Sequence, residues 1–357
     1  MPLRVLTSNR AVSLQTVAMD IVKVALKAGV KARWQDRTVP SFELRKAGES
    51  AIVVMAVDPL IATPWFLLVR DCLRGGVRAV FYGTIEGKVN TMFVRDWMRE
   101  VAFIANSGYT RDKLVEAGFS VLDVVPHGID LDAVRRARRT ENIGHSYLAR
   151  FGLNPEKHLI VLTIANSHPR KGLAWFDKVV EEVEKRDKSV KFLVVTEEKG
   201  LRYFNPRENL TVAAEFGKLP RLTVLSLIAS AHIFALPSLA EGFGLPVLEA
   251  MALGTPVVHG ELPPVMEFST GFTVPVKEIR YFDRMEVGPS GIVYEQHLYD
   301  VREFAEVILQ VCDLWRNKPE AVGEWRSKSV ARAREFDIHT VYPRLVKQLA
   351  GEEMFEQ

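Results

Sequence analysis

Two cysteines in 357 residues, Cys72 and Cys312, are too few and too far apart for a disulfide framework, a redox pair or a cysteine-based metal site. Their scarcity suits a reducing compartment, so the cytoplasm is the expected location. No apolar run approaches the ~18 residues that would span a bilayer. Met1-Pro2-Leu3-Arg4 leads straight into a strand-like segment, and no signal peptide is expected. Nor does one sign of charge prevail: 47 Lys+Arg against 44 Asp+Glu leave a net +3. Arg135-Arg136 and Arg138-Arg139 form a dense basic run, but no aromatic interleaving accompanies them, so no nucleic-acid partner is expected. Short repeats and low-complexity segments are absent too.

What remains is an ordinary soluble composition, 48% hydrophobic, in a chain long enough for two domains. The charge is uneven along it. Met1 to Pro155 carries 22 Lys+Arg against 15 Asp+Glu, and the remainder 25 against 29. A basic first half suits an anionic partner or peripheral contact with an anionic membrane surface, or is simply a solvated face.

Strand-like apolar runs alternate with amphipathic, helix-length segments. In the first half the runs are Arg4–Thr7, Ala51–Val57, Ala79–Tyr82, Val101–Asn106 and Val121–Val125. Leu14, Val17, Ile21, Val24 and Ala28 recur at spacings of three and four, the stripe of a helix packed on a sheet. Asn90–Glu100 and Thr110–Ala117 read as further helices. The pattern lapses over the charged stretch Asp132–His145, where the domain boundary is expected. It resumes with Leu159–Ala165, Lys191–Val195, Leu210–Ala213, His232–Leu236 and Pro256–His259. The alternation predicts two parallel-sheet α/β domains, residues 1–145 and 146–330, facing each other across a cleft. A helical tail, 331–357, is expected to pack back toward the first domain. Lys277–Tyr294 reads as irregular.

Pro237 to Val257 is the most informative segment. An apolar strand runs into Ser238-Leu-Ala-Glu241-Gly242-Phe243-Gly244-Leu245-Pro246, and a helix opens at Leu245-Pro246, where proline's missing N–H is not needed. Gly242 and Gly244 allow close approach of a ligand to the backbone. The first N–H groups of the helix have no partner within it and suit phosphate oxygens. Glu241 and Glu249, with seven residues between them, bracket this turn. A carboxylate accepts two hydrogen bonds from a vicinal diol, and sugar diols on both sides of a diphosphate need this arrangement.

Glu241-Gly-Phe-Gly-Leu-Pro-Val-Leu-Glu249, followed by Ala-Met-Ala-Leu-Gly-Thr-Pro-Val-Val, resembles the signature of glycosyltransferase family 4, of GT-B fold. Asn106-Ser-Gly-Tyr-Thr110 and Val125-Pro-His-Gly-Ile-Asp130 resemble the end of that family's first domain. Arg170-Lys171-Gly172 resembles its phosphate-binding turn, and Phe216-Gly217-Lys218-Leu219 its nucleotide-side loop. The resemblance implies a retaining, metal-independent transferase that moves a sugar from a nucleotide diphosphate sugar to a glycan, lipid or small-molecule acceptor, with no cofactor. It implies Glu241 against the donor sugar, Glu249 on the ribose and Lys171 on the diphosphate. The amides of Gly242, Phe243, Gly244 and Leu245 would hold sugar and distal phosphate, with Arg170, Phe216 and Gly217 completing the donor side. The first domain would bind the acceptor.

Three positions depart from the family. Asn166 stands where an Arg precedes the Lys by five residues, and is either a donor contact or a strand-end cap. Thr7-Ser8-Asn9-Arg10-Ala11 lacks the usual glycine pair. Tyr82-Gly-Thr84-Ile-Glu86-Gly87 stands where a His lies near the reacting carbon. Ser8, Asn9, Arg10, Thr84 and Glu86 are therefore the acceptor-side candidates, Glu86 being either acceptor-facing or merely exposed. His127-Gly128 reads as a tight turn and His168 as a loop residue. Two other functions fit the same architecture: a nucleotide-sugar epimerase, and a non-catalytic relative that kept the donor pocket.

Overall fold

The computed structural model describes residues 1–8, 12–285 and 288–350. It divides into two compact units. One comprises Met1–Asp130, Tyr281–Glu295 and the chain from Phe336 onward; the other comprises Leu131–Arg280 and Gln296–Glu335.

The first unit begins with β1 (Leu3–Thr7), α1 (Val12–Lys27), β2 (Ala32–Gln35), α2 (Ser41–Ala47), β3 (Ser50–Ala56) and α3 (Thr63–Arg74). It continues with β4 (Ala79–Thr84), β5 (Gly87–Val89), β6 (Ala102–Ala105), α4 (Gly108–Glu116) and β7 (Ser120–Val124). Six strands form one sheet in the order β2-β1-β3-β4-β6-β7, every pairing parallel. Its central strands β1, β3, β4 and β6 are buried on both faces, as in parallel sheets with helices on either side. An aromatic cluster fills one side: Phe66 lies 4.8 Å from Phe81, Phe81 5.1 Å from Phe103, and Phe103 5.0 Å from Phe119.

The second unit starts with α5 (Leu131–Arg139) and α6 (Glu141–Ala149), then β8 (Leu159–Ile164), α7 (Leu173–Arg186), β9 (Val190–Val195) and β10 (Leu210–Ala213). Next come α8 (Arg221–Ser230), β11 (Ile233–Leu236), α9 (Leu245–Leu253), β12 (Val257–Gly260), α10 (Pro263–Met266) and β13 (Phe272–Val274). Its sheet, β10-β9-β8-β11-β12-β13, is again parallel throughout. The chain first builds outward from β8 to β10, then returns to lay β11 on the other side of β8. Between β8 and β11 the winding reverses, and ligands of open α/β sheets bind at the carboxyl ends of strands at such a reversal.

After β13 the chain forms β14 (Val276–Met285), β15 (Gly288–Tyr299), α11 (Val301–Asn317), α12 (Pro319–Arg334) and α13 (Ile338–Ala350). Within Lys277–Tyr294, expected to be irregular, the described residues are strand. β15 pairs antiparallel with β5, a partner some 200 residues upstream that no local pattern announces. Gly87 permits this contact, since a Cβ there would sit 2.1 Å from the carbonyl oxygen of Val293.

The stretch 131–145, expected in the first domain, belongs to the second unit as α5 and α6. Its buried stripe is only Val134 and Ala137 on α5, narrow enough for the arginines to hide it. Arg138 caps a neighbouring helix. Its guanidinium donates to the carbonyls of Leu253 at 2.8 Å and Ala252 at 3.3 Å, satisfying the open C-terminal end of α9. Asn90–Glu100 forms two short 3-10 turns instead of one helix. No helix of the described residues is long and apolar enough to cross a membrane.

Within the first unit α13 packs on α1 and anchors the turn after β7. The Gly128 amide donates to the Tyr342 hydroxyl at 2.9 Å, and a Cβ on Gly128 would meet Val341 at 2.8 Å. Tyr342→Phe leaves a buried N–H without its acceptor, so urea unfolding should show a loss of about 1–3 kcal/mol. A stability equal to wild type would mean that α13 does not dock through this bond.

Candidate functional site

β8 ends at Ile164 and the chain turns through Asn166 to Gly172 before entering α7. Pro169–Lys171 is a single 3-10 turn whose N-terminal cap is His168: its Nδ1 accepts the Arg170 amide at 3.3 Å. That role needs an uncharged imidazole. Burial, followed by the nearby Arg170 and Lys171, pushes His168 down to about 4 and supplies one. Asn166 caps the same turn, its side-chain oxygen accepting the His168 amide at 3.2 Å. Gly172 closes it at φ 66°, and a Cβ there would lie 2.1 Å from the Pro237 carbonyl oxygen. Only glycine lets the two loops meet so closely.

The facing loop follows β11. Leu239 donates its amide to the Arg170 carbonyl at 2.7 Å, and Arg170 Nη1 donates to the Ala240 carbonyl at 3.2 Å. Across this seam Lys171 Nζ pairs with Glu241 Oε1, while Arg170 Nη1 stands 3.6 Å from Oε2. The Ser238 hydroxyl donates to Oε1 at 2.7 Å. The Glu241 side chain is only 6% exposed. Burial alone raises its pKa, but Lys171 and Arg170, with hydrogen bonds from Lys171 and Ser238, outweigh burial and hold it below the ordinary carboxylate range. It is therefore an ionised carboxylate at neutral pH, fixed between two cations at the sheet reversal.

Beyond Glu241 the loop feeds α9. Gly244, at φ 96°, is its N-terminal boundary, and no side chain caps the first turn. The amides there point toward the loop with the positive end of the helix dipole behind them. Phe243 turns inward, stacked on Phe268 at 4.8 Å and 16°, so its ring anchors the loop and only its backbone can meet a ligand. Leu245 is half-buried, and Gly242 is buried.

Glu249 lies one turn further, buried, its Oε1 2.6 Å from Arg221 Nη2 at the start of α8. Phe216 and Gly217 sit past the end of β10, with the Phe216 amide donating to the Thr196 carbonyl at 2.9 Å and Gly217 at φ 75°. Tyr147 donates to Glu215 Oε2 at 2.6 Å and Arg150 to Oε1 at 2.8 Å, tying this loop to α6. The donor-side candidates therefore all belong to the second unit, at the carboxyl end of its sheet. Sequence reading missed Arg221, Ser238 and the capping role of His168. Arg221 carried a signal: a cation opening a helix opposes the helix dipole.

The acceptor-side candidates lie in the first unit. Asn9 and Arg10 fall outside the described residues. Ser8, half-buried, offers its carbonyl to Gln15. Thr84 ends β4 and is buried, its hydroxyl 3.2 Å from His127 Nε2. His127 Nδ1 is 2.9 Å from the Tyr82 oxygen, and Tyr82 donates to the Val125 carbonyl at 2.8 Å. A carbonyl only accepts, so Nδ1 carries the proton toward Tyr82 and Nε2 accepts from Thr84. Thr84 thus serves a buried network. Glu86 is half-buried, and its carbonyl accepts the Glu295 amide at 3.4 Å.

Residues 158–284 match the family described as glycosyl transferases, group 1. The chain is 26% identical over 352 residues to the uncharacterized glycosyltransferase 335 of Sulfolobus islandicus rod-shaped virus 1, covering 96% of this chain and 99% of that one. It is 30% identical over 173 residues to the D-inositol 3-phosphate glycosyltransferase of Nocardia farcinica, spanning 44% of this chain and 37% of the relative. In structure it resembles Anabaena HepE in complex with UDP and glucose, with a TM-score of 0.68, 13% identity and coverage of 98% and 100%. The fold is GT-B, with two Rossmann-like units.

Burial pushes His127 down to about 3 from its ordinary 6.5. Between these values the unfolded chain takes up a proton that the folded chain refuses, so His127 contributes stability in full above pH 6.5 and loses it as pH falls toward 3. Urea midpoints measured from pH 7 to pH 4 should fall less steeply in His127→Gln, by up to one proton or about 1.4 kcal/mol per pH unit. Parallel profiles would show that this imidazole is not held neutral by the fold.

Proposed function

We propose that this protein is a glycosyltransferase of the family 4 type, acting in the cytoplasm on a nucleotide diphosphate sugar and retaining the configuration of the transferred sugar. The observation that carries the reading is the Lys171–Glu241 pair, which sets a fixed cation and an ionised carboxylate side by side at the sheet reversal, next to the open N-terminus of α9.

In this reading the diphosphate lies against Lys171, Arg170 and the amides of Gly242 to Leu245. The donor sugar hydroxyls donate to Glu241, and the ribose hydroxyls donate to Glu249. As the bond between the anomeric carbon and the phosphate oxygen breaks, negative charge grows on the leaving diphosphate, where Lys171 and the helix amides stabilise it. These groups do the work a metal ion would otherwise do. The acceptor hydroxyl of a glycan, lipid or small molecule attacks from the face the diphosphate leaves. Its proton passes to the departing phosphate oxygen, so one C–O bond forms as one breaks. Arg170, already 3.6 Å from Glu241, supplies the second positive charge that Asn166 does not.

Glu241 is neutralised by the same lysine the diphosphate needs. Glu241→Gln releases Lys171, so nucleoside diphosphate should bind as well as in wild type or better while turnover falls at least a hundredfold. Glu249→Ala should abolish the thermal stabilisation given by nucleoside diphosphates, which reaches about 2.7 kcal/mol at a hundred times Kd. Thermal shifts and donor hydrolysis against a panel of nucleotide sugars test both. Equal shifts in wild type and Glu249→Ala would sink the assignment, and tight binding without hydrolysis or transfer would leave a binding protein in its place.

A further inference from the structure

Arg221 is badly placed for its own helix. It is the first residue of α8, directly after Pro220, and the first turn carries no acidic side chain. A cation at this end works against the helix dipole, so local rules favour almost any other residue. What offsets the cost is Glu249: Arg221 Nη2 lies 2.6 Å from its Oε1, with the arginine side chain 40% exposed and the glutamate 7%. Among the described residues the Glu249 carboxylate forms no other ion pair or hydrogen bond, and a buried carboxylate left uncompensated is strongly disfavoured. The contact engages one oxygen and leaves Oε2 to accept from a ligand. Arg221 also follows the Phe216–Leu219 loop by a single residue, so it joins the loop proposed to meet the base to the carboxylate proposed to meet the ribose.

We infer that Arg221 is a positioning residue that sets ribonucleotide specificity: it clamps Oε1 of Glu249 and aims Oε2 at the ribose diol. The inference rests on the donor reading above. The guanidinium acts through Glu249 and does not read the phosphates. A lysine keeps the charge without the planar fork, so it restores part of the effect.

Isothermal titration with UDP, GDP and ADP, each beside its 2′-deoxy counterpart, tests this on the full chain. Arg221→Gln should weaken the preferred ribonucleotide about tenfold and its deoxy counterpart less than threefold, collapsing the preference between them. Arg221→Lys should recover part of the loss. In the Glu249→Ala background Arg221→Gln should add nothing further, because the path runs through Glu249. In turnover, donor KM should rise with kcat held within about twofold. Equal weakening of ribo and deoxy forms would overturn the inference by showing that Arg221 meets phosphate or base. Unchanged binding of both would reduce it to a surface cation. If wild type binds none of the three diphosphates, the donor reading itself fails before any variant is compared, and this inference falls with it.

Discussion

The buried carboxylate of Glu241 constrains everything around the site. An ionised group so enclosed is tolerable only with charge and hydrogen bonds supplied at close range, and its cationic partners come from a different loop. Lys171 and Arg170 follow β8, whereas Ser238 and Glu241 follow β11. The two strands are neighbours although about 70 residues separate them, because the sheet reverses its winding there. The ion pair and the reversal therefore depend on each other. Gly172 makes their approach possible, and Leu239 and Ala240, hydrogen-bonded to Arg170, hold the loops in register.

From that pair outward the site is built in tiers. His168 and Asn166 shape the turn that presents Lys171, and the imidazole can do so because it is uncharged. Phe243 stacks its ring on Phe268, which fixes the loop ahead of α9. Tyr299, buried in the core, donates to the Pro237 carbonyl at 2.9 Å, and His297 donates its amide to that of Leu239 at 2.7 Å. The late strand β15 thereby braces the loop that carries Glu241. Apolar packing supplies rigidity, and the charged groups are few and held from several directions.

Much of this was legible in the sequence, for physical reasons that can be named. Parallel strands buried on both faces leave continuous apolar runs, so nearly every strand of the two sheets appeared, as did the glycine-spaced turn into α9. The misses share one cause, which is that their partners are distant. β2 carries Arg33 and Gln35 and reads as polar, yet it is held by β1. β14 leaves Ile279 and Tyr281 about half exposed, and β15, though buried nearly throughout from Ser290 to Tyr299, mixes polar with apolar residues and pairs with a distant β5. In α5 two buried residues sit among arginines. At the site, Glu241, Glu249 and Lys171 stood out because their neighbours in sequence are also glycines and prolines of a turn. Thr84 did not reveal its bond to His127, 43 residues away.

Asn166 shows what a short polar side chain does in this turn. At the end of β8 a short amide side chain reaches back to the His168 N–H and tightens the turn, a geometry a long guanidinium would not provide. Arg170, one residue before Lys171, places its Nη1 3.6 Å from Glu241 Oε2. Counting Arg221 at the start of α8, three cations stand against two buried carboxylates. Of these, Arg170 and Lys171 sit beside a helix N-terminus, which also favours negative charge. Within this turn the second cation is thus Arg170, and residue 166 supplies a cap instead of a charge.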